Sequence, residues 1–273
     1  MGNAVLRLNV KLKSLLRENL LNRRRLLGDF IRKHLAPCSK AKFEDFMFLV
    51  QRYGAIIEEY VCDISEISSP SVQGMIEADG SVKVVSTHDQ LLDGQIYKGC
   101  VFPARQSFRD AMIRVCSNVG EILKQNGAVD DFGVDFIAFK LRGSDEMHLE
   151  AIEINLRQLG TTHPMRSLML LTKGSMDAHG TFHDSKGNTK CYVASDCLQK
   201  PNLLGVSVSR FLERVQLTRS LHFSKTLRQG VIFIMLQALQ EHGRLGMICI
   251  GSSVQHAQTL FFDANRELDL LSF

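Results

Sequence analysis

The amino-acid sequence predicts an α+β protein in which antiparallel-rich sheets carry packed helices. Apolar residues recur at helical spacing in segments such as 106–127, which predicts amphipathic helices. Alternating segments joined by short polar turns, as in 71–86 and 133–155, predict β-hairpins. The chain has 273 residues, 45% of them hydrophobic and 23% charged, which is an ordinary composition for a globular protein with a sizeable core.

The first 53 residues are predicted to be helical and basic. Leucine spacing favours a helix over 8–36 that ends at Pro37, with Gly28 as a candidate break into two helices, and a second helix over 42–53. This stretch carries a net charge of +8, whereas the remainder carries −4. A basic lobe can hold a polyanion such as nucleotide phosphates, or be a solvated helical surface, and composition leaves both open.

The middle of the chain changes to strands. Residues 55–62 form a short apolar segment that predicts a strand. Segments 71–77 and 82–86, joined by the turn at 78–81, predict a hairpin. A helix is predicted over 106–127.

A second hairpin is predicted from strands 133–141 and 148–155, joined across 143–146. The rest of the chain alternates between the two kinds of element. We expect a helix at about 165–173, a polar loop at 174–190, a strand at 191–195, a helix at 207–217, a helix or strand at 230–242, a strand at 247–250 and a final helix at 253–268.

Composition also narrows the class of protein. Seven cysteines are scattered without a CxxC pair, which favours free thiols, a reducing compartment and a cytoplasmic location. No apolar run approaches the ~18 residues of a membrane span, and no signal peptide is evident, so we expect no membrane partner. Aromatic residues do not interleave with basic ones and tryptophan is absent, which argues against nucleic acid.

The strongest chemical signal lies in the second predicted hairpin. Glu153 and Asn155 are two positions apart on one strand, so their side chains share a face. If the turn centres near Ser144, Asp135 lies opposite Glu153 on the neighbouring strand. Two carboxylates and a carboxamide oxygen are ligands that Mg²⁺ accepts, so we expect a metal site here.

Arg157 continues the same strand phase and could offer a bidentate guanidinium to a phosphoryl group or a substrate carboxylate. We expect apolar packing of Phe136, Ile152 and Ile154 on the opposite face. The alternative is a solvated acidic strand face, since Glu-x-Asn alone is a weak motif.

These residues carry a family resemblance. Asp135 on one strand, with Glu153-x-Asn155-x-Arg157 on the next, is similar to the metal-and-phosphate signature of ATP-grasp enzymes. The block Glu153-Ile-Asn-Leu-Arg157, with Gly160-Thr-Thr-His-Pro164, more closely resembles pheganomycin-type peptide ligases and the ligase-like region of IQ-motif-containing protein H. Segments 192–196 and 246–251 resemble the carboxyl-terminal part of that group.

The resemblance implies the carboxyl-terminal part of an ATP-grasp fold that binds Mg²⁺ and ATP. Residues 1–168 would form the nucleotide-binding region, with its amino-terminal part incomplete, and 169–273 a carboxyl-terminal segment of the same unit. Asp135, Glu153 and Asn155 would hold the metal, and Arg157 would act on the transferring phosphoryl group. For the nucleotide, the resemblance implies Glu58, Tyr60 and Val61 at the adenine and Gln73 near the ribose and phosphates.

The activity implied is carboxylate–amine ligation through an acyl phosphate, with small-molecule or peptide carboxylate and amine substrates. Two departures keep a second hypothesis open. No lysine-bearing strand and Gly-rich loop are evident upstream, and Leu159 stands where the group prefers glycine. The alternative is a non-catalytic pseudo-ligase that acts as a scaffold, or an incomplete fragment.

Overall fold

The computed structural model describes the backbone of residues 4–6, together with residues 19–37, 42–58, 61, 63–94 and 96–273. Contacts between residues divide the chain into two compact units, Met1–Asp63 and Ile64–Phe273. The boundary expected after residue 168 falls within a helix of the second unit, and this functional division stays a prediction. Within the described ranges, no helix is long and apolar enough to cross a membrane.

The described residues of the first unit form two helices and a small two-stranded sheet. Its elements are β1 (Ala4–Leu6), α1 (Leu20–His34), β2 (Leu35–Pro37) and α2 (Phe43–Tyr53), and β1 pairs antiparallel with β2. The side chain of Asn19 caps α1 by accepting from the Asn22 backbone at 2.9 Å. Helix α1 continues through Gly28, because one interior glycine costs only ~1 kcal/mol.

The strand expected over 55–62 is wrong for the residues that the structure describes. Helix α2 ends at Gly54, whose φ of 77° is in the region that favours glycine. Residues 55–58 and 61 adopt no regular secondary structure, and Ile56 and Ile57 are 87% and 96% exposed. A strand requires a neighbour for its backbone groups, and no described strand pairs with these residues.

The second unit is organised around one ten-stranded antiparallel sheet, in the order β12-β13-β14-β11-β6-β5-β4-β7-β3, with β8 also paired to β7. Its strands are β3 (Ile64–Ser68), β4 (Pro70–Ile76), β5 (Val82–Asp93), β6 (Ile96–Phe102), β7 (Asp130–Leu141), β8 (His148–Asn155), β11 (Cys191–Gln199), β12 (Phe223–Ser224), β13 (Gln229–Ile234) and β14 (Arg244–Gly251). A separate small hairpin pairs β9 (Ser175–Met176) with β10 (Phe182–His183).

The helices of this unit are α3 (Gln106–Gln125), α4 (Thr162–Thr172), α5 (Val208–Leu217), α6 (Leu239–His242) and α7 (Val254–Leu270). Three short 3-10 helices cover Pro201–Leu203, Arg219–Leu221 and Leu236–Ala238. The predicted hairpins, the helix at 106–127 and the final helix are confirmed. Strands β3 and β6 were not predicted, and segment 230–242 begins as a strand and ends as a short helix.

The large sheet is covered differently on its two faces. Helix α3 packs a buried cluster on one face, including Met112, Phe132 and Val134. Helix α4 contributes Met165 and Leu168 to a second cluster on the opposite face. Because residues that alternate along a strand point to opposite faces, this arrangement assigns the odd-numbered residues 133 and 135 of β7 to the α4 side.

Candidate functional site

The β7–β8 hairpin brings the predicted metal-site residues together. Asp135 pairs directly with Glu153, and Gly133 pairs with Asn155, as the expected register required. Directly opposed residues of an antiparallel pair share a face, so both carboxylates lie on the α4 side of the sheet. A bulge follows at once, because Phe136 pairs with Ala151 and Ile152 is the extra residue.

A chain of side-chain hydrogen bonds runs across this face. Asn155 Nδ2 donates to Asp135 Oδ2 at 3.0 Å. Gln90 Nε2 donates to Asp135 Oδ1 at 2.8 Å. Arg157 donates from Nη2 to Asn155 Oδ1 at 3.1 Å, and from Nη1 to the Gln158 carbonyl at 3.2 Å. Asp135, Asn155 and Arg157 are therefore already linked.

The two carboxylates, Asp135 and Glu153, are not fully compensated by nearby positive charge. Burial raises the pKa of Asp135, and the negative charge of Glu153 raises it further. Hydrogen bonds from Gln90 and Asn155 and the charge of Arg157 act in the opposite direction without cancelling the rise. Glu153 itself is exposed. A cation between the two carboxylates would relieve both the repulsion and the burial of negative charge.

The donor set fits a hard divalent cation. Asp135 and Glu153 supply carboxylate oxygens and Asn155 a carboxamide oxygen, which suits Mg²⁺, an ion that completes its octahedron with water and phosphate. The Asn155 Oδ1 atom accepts from Arg157 in this structure. Because a carboxamide oxygen has two lone pairs, the same atom can still offer a second lone pair to a cation.

Beside the metal-site residues, on the same face of the sheet, lies a buried polar network that the sequence did not predict. His88 Nδ1 is 2.6 Å from Gln73 Oε1, and His88 Nε2 is 2.5 Å from the Tyr192 hydroxyl. Gln73 Oε1 also accepts from Ser86 at 3.0 Å, while Gln73 Nε2 donates to Ser71 at 3.0 Å. Because complete burial lowers the pKa of His88 to about 3, its ring is neutral, with the proton on Nδ1 and Tyr192 donating to Nε2.

The predicted nucleotide residues are distributed over both units. Gln73 lies on the site face, where its cross-strand partner Gly133 pairs in turn with Asn155. Glu58 and Val61 lie in the irregular segment of the first unit, and Glu58 is exposed. Tyr60 lies outside the described residues. Their roles at the nucleotide stay predictions.

The expected apolar packing behind the site is only partly correct. Phe136 is 1% exposed, but Ile152 and Ile154 are each 51% exposed. Strand β8 is at the edge of the sheet, whereas α3 packs mainly on β4 and β5, so the helix does not cover these two isoleucines.

The segment after β8 closes over the sheet. Leu159 lies directly above Gly133, where a side chain at residue 133 would collide with it. The Leu159 backbone donates to Thr162 Oγ1 at 3.0 Å, next to the start of α4. The leucine that departs from the family pattern therefore fills space that glycine at 133 leaves open.

Comparison with known proteins accounts for most of the chain. The family model described as "IQCH-like, ATP-grasp" matches residues 9–179, and the model for the PGM1 C-terminal domain matches 212–260. The chain is 33% identical over 214 residues to an L-propargylglycine–L-glutamate ligase from Streptantibioticus cattleyicolor, covering 78% of this chain and 43% of that protein. The chain thus spans less than half the length of this curated relative.

Solved structures are more distant. N5-carboxyaminoimidazole synthetase from Staphylococcus aureus has a TM-score of 0.46 at 14% identity, with 77% of this chain and 52% of that chain covered. N5-carboxyaminoimidazole synthase from Aspergillus clavatus, in complex with ADP and an aminoimidazole ribonucleotide, has a TM-score of 0.48 at 13% identity, with 95% and 72% covered.

The sequence matches define the class as ATP-grasp, which confirms the predicted fold. More narrowly, the chain belongs to the IQCH-like ATP-grasp family.

Proposed function

We propose that this chain binds Mg-ATP through the β7–β8 hairpin and takes part in ATP-dependent ligation of a carboxylate to an amine. The observation that carries the proposal is the cross-strand pair Asp135 and Glu153, two like charges on one face with the pKa of Asp135 raised. Structural ion-pair networks usually compensate such charges, whereas this pair leaves net negative charge for a cation.

Asp135, Glu153 and Asn155 would hold Mg²⁺, which when bound would neutralise the phosphate oxygens of ATP. Arg157, already hydrogen-bonded to Asn155, would turn its guanidinium toward the charge that develops on the transferring phosphoryl group. Gln73 would contact the ribose and phosphates from the site face.

The chemistry needs no covalent enzyme intermediate. A carboxylate oxygen of the substrate attacks the γ-phosphorus of ATP, and ADP leaves with the electrons of the broken bond. The amine nitrogen then attacks the acyl carbon, inorganic phosphate leaves, and the nitrogen loses a proton to give an amide. Because the S. cattleyicolor relative is named as a ligase of L-propargylglycine and L-glutamate, we propose amino acids or peptides as the substrates.

Calorimetry with Mg-ATP on the purified chain tests the metal-site roles. Glu153→Gln removes one charge from the cation site without changing its shape, so we expect nucleotide affinity to fall at least about 10-fold, or ~1.4 kcal/mol. Glu146→Gln is the matched control, because this exposed carboxylate lies in the turn at the other end of the same hairpin. Equal affinities for the two variants would contradict the proposal.

Two further results separate binding from catalysis. Phosphate release that depends on an added carboxylate and amine supports ligation. Wild-type protein that binds no nucleotide at millimolar concentration would instead favour the non-catalytic scaffold.

We also propose a cytoplasmic location. The described cysteines Cys100, Cys116, Cys191, Cys197 and Cys249 are all free, and four of them are buried. Free buried thiols are typical of a reducing compartment. Detection of the protein in the cytosolic fraction of fractionated cells tests this location.

A further inference from the structure

A cavity of about 390 Å³ adjoins the candidate metal site on the α4 side of the sheet. Its floor and walls come from β4, β5 and β7, from α4 and from the β9–β10 hairpin. Two residues of the site region, Gln73 and Arg157, also line this cavity. A ligand in the cavity could therefore reach the guanidinium that is hydrogen-bonded to Asn155.

The interior of the cavity is mostly apolar. Four methionines and two phenylalanines line it: Met75, Met165, Met169, Met176, Phe132 and Phe182. Met165 is 2% exposed and Phe182 is 0% exposed, so the deep part is fixed by the core, whereas Met169 is 42% exposed at the opening. Thioether chains adapt to unbranched or irregular apolar groups, which suits a slender aliphatic or thioether side chain.

The charges that line the cavity are largely paired with one another. Arg166 Nη2 is 2.7 Å from Asp131 Oδ2, and Lys83 Nζ is 2.8 Å from Glu77 Oε1. Among the described residues that line the cavity, Arg157 is the remaining cation, and it gives up only part of its five N–H donors to the Asn155 and Gln158 oxygens. The lining cation for which no salt bridge to a carboxylate is formed among the described residues therefore lies at the end nearest the metal site.

We propose that this cavity is the pocket for the carboxylate substrate, and that it selects an α-amino acid or peptide terminus with an unbranched apolar side chain. The carboxylate lies at Arg157, and the side chain extends among the four methionines. As a substrate assignment, this inference rests on the proposed ligase function.

The same lining discriminates against acidic side chains. A second carboxylate on the ligand would enter among methionines, where Lys83 and Arg166 are already held by Glu77 and Asp131. It would lose hydration, and among the described lining residues these two cations already have their charges neutralised by carboxylates. A branched or bulky polar side chain would meet the buried surfaces of Met165 and Phe182.

Binding of free amino acids, measured calorimetrically without nucleotide, tests the pocket independently of Mg-ATP. We expect L-norleucine to bind at least about 10-fold more tightly than L-glutamate. Met169→Glu puts a carboxylate at the opening and should weaken L-norleucine binding at least about 10-fold. Leu170→Glu is the matched control, because this neighbour on α4 is 78% exposed and does not line the cavity.

The outcomes are distinguishable from those of the nucleotide experiment. Failure of L-norleucine to bind at about 10 mM, equal binding of L-glutamate, or equal effects of the two α4 variants would overturn the pocket assignment. Mg-ATP titration of the same samples reports separately on Asp135 and Glu153. Loss of nucleotide binding with the amino-acid preference intact would overturn the ligase proposal and leave the pocket as an amino-acid site.

Discussion

Two strands of equal length in this sheet differ sharply in how much of each is buried. Both β8 (His148–Asn155) and β14 (Arg244–Gly251) have eight residues, two of which are isoleucines at alternate positions. Every residue of β14 after Arg244 is buried, whereas Asn155 is the only buried residue of β8. The apolar content of a strand therefore does not decide how much of it is enclosed.

Position in the sheet makes the difference. Strand β14 lies between β11 and β13. Helix α7 packs against one of its faces, and the buried cluster that contains Met165 and Tyr192 packs against the other. Strand β8 has β7 on one side only. Side chains of β14 are thus committed to the core, whereas those of β8 stay accessible to a ligand. The substitutions below test whether β14 is enclosed in the core and β8 is exposed.

The largest effect is expected at the centre of β14. Ile248 is 0% exposed, and Ile248→Thr removes apolar volume while burying a hydroxyl in the cluster that contains Phe102 and Tyr192. We expect the free energy of unfolding to fall by about 2–4 kcal/mol. Urea unfolding followed by circular dichroism measures it, and a loss below about 0.5 kcal/mol would contradict the enclosed position of this strand.

An intermediate effect is expected at the carboxylate pair. Because the folded-state pKa of Asp135 is raised, its contribution to stability is complete below the ordinary value of 3.8 and is lost as pH rises through the raised value. Glu153→Gln removes one cause of the rise. We expect the pKa of Asp135 to fall, and the variant to gain roughly 0.2–1 kcal/mol of stability at neutral pH.

Carbon-13 NMR titration of the Asp135 carboxyl measures that pKa directly, with Glu146→Gln as the control of equal charge change. An unchanged Asp135 titration in Glu153→Gln would show that the two carboxylates do not interact, despite their pairing.

The smallest effect is expected on the exposed face of β8. Ile154→Thr repeats the β14 substitution at a residue that is 51% exposed, and threonine keeps the β-branched shape that strands favour. We expect a change in unfolding free energy within about 0.5 kcal/mol. A cost comparable to that of Ile248→Thr, measured in the same urea series, would mean that β8 is enclosed by something that covers its edge.

Local sequence patterns predicted the hairpin and the pairing of its polar residues. A turn centred near Ser144 predicted the pairing of Asp135 with Glu153, and the structure contains this pair, although the bulge at Ile152 shifts the pairs nearer the turn by one residue. Period-two alternation then put Asn155 on the same face. These inferences need only residues within about twenty positions of one another.

Long-range partners could not be predicted in this way. Gln90 reaches Asp135 from 45 residues away, and His88 reaches Tyr192 from 104 residues away. These contacts depend on the order of β5, β6 and β11 in the sheet, which no local pattern specifies. The same limit explains Ile152 and Ile154, whose alternation predicted a covered face but could not reveal that β8 would lie at the edge.

The bulge at Ile152 has a consequence for how this hairpin can vary. It separates the pairs that align Asp135 and Glu153 from the pairs that continue to the turn at 142–147. Lengthening or shortening that turn would change the pairs between the bulge and the turn. The pairs that Gly133 and Asp135 form with β8 would keep their alignment. We expect the loop to tolerate insertions and tags. A one-residue deletion within β8 would instead disrupt the alignment of Asp135 with Glu153.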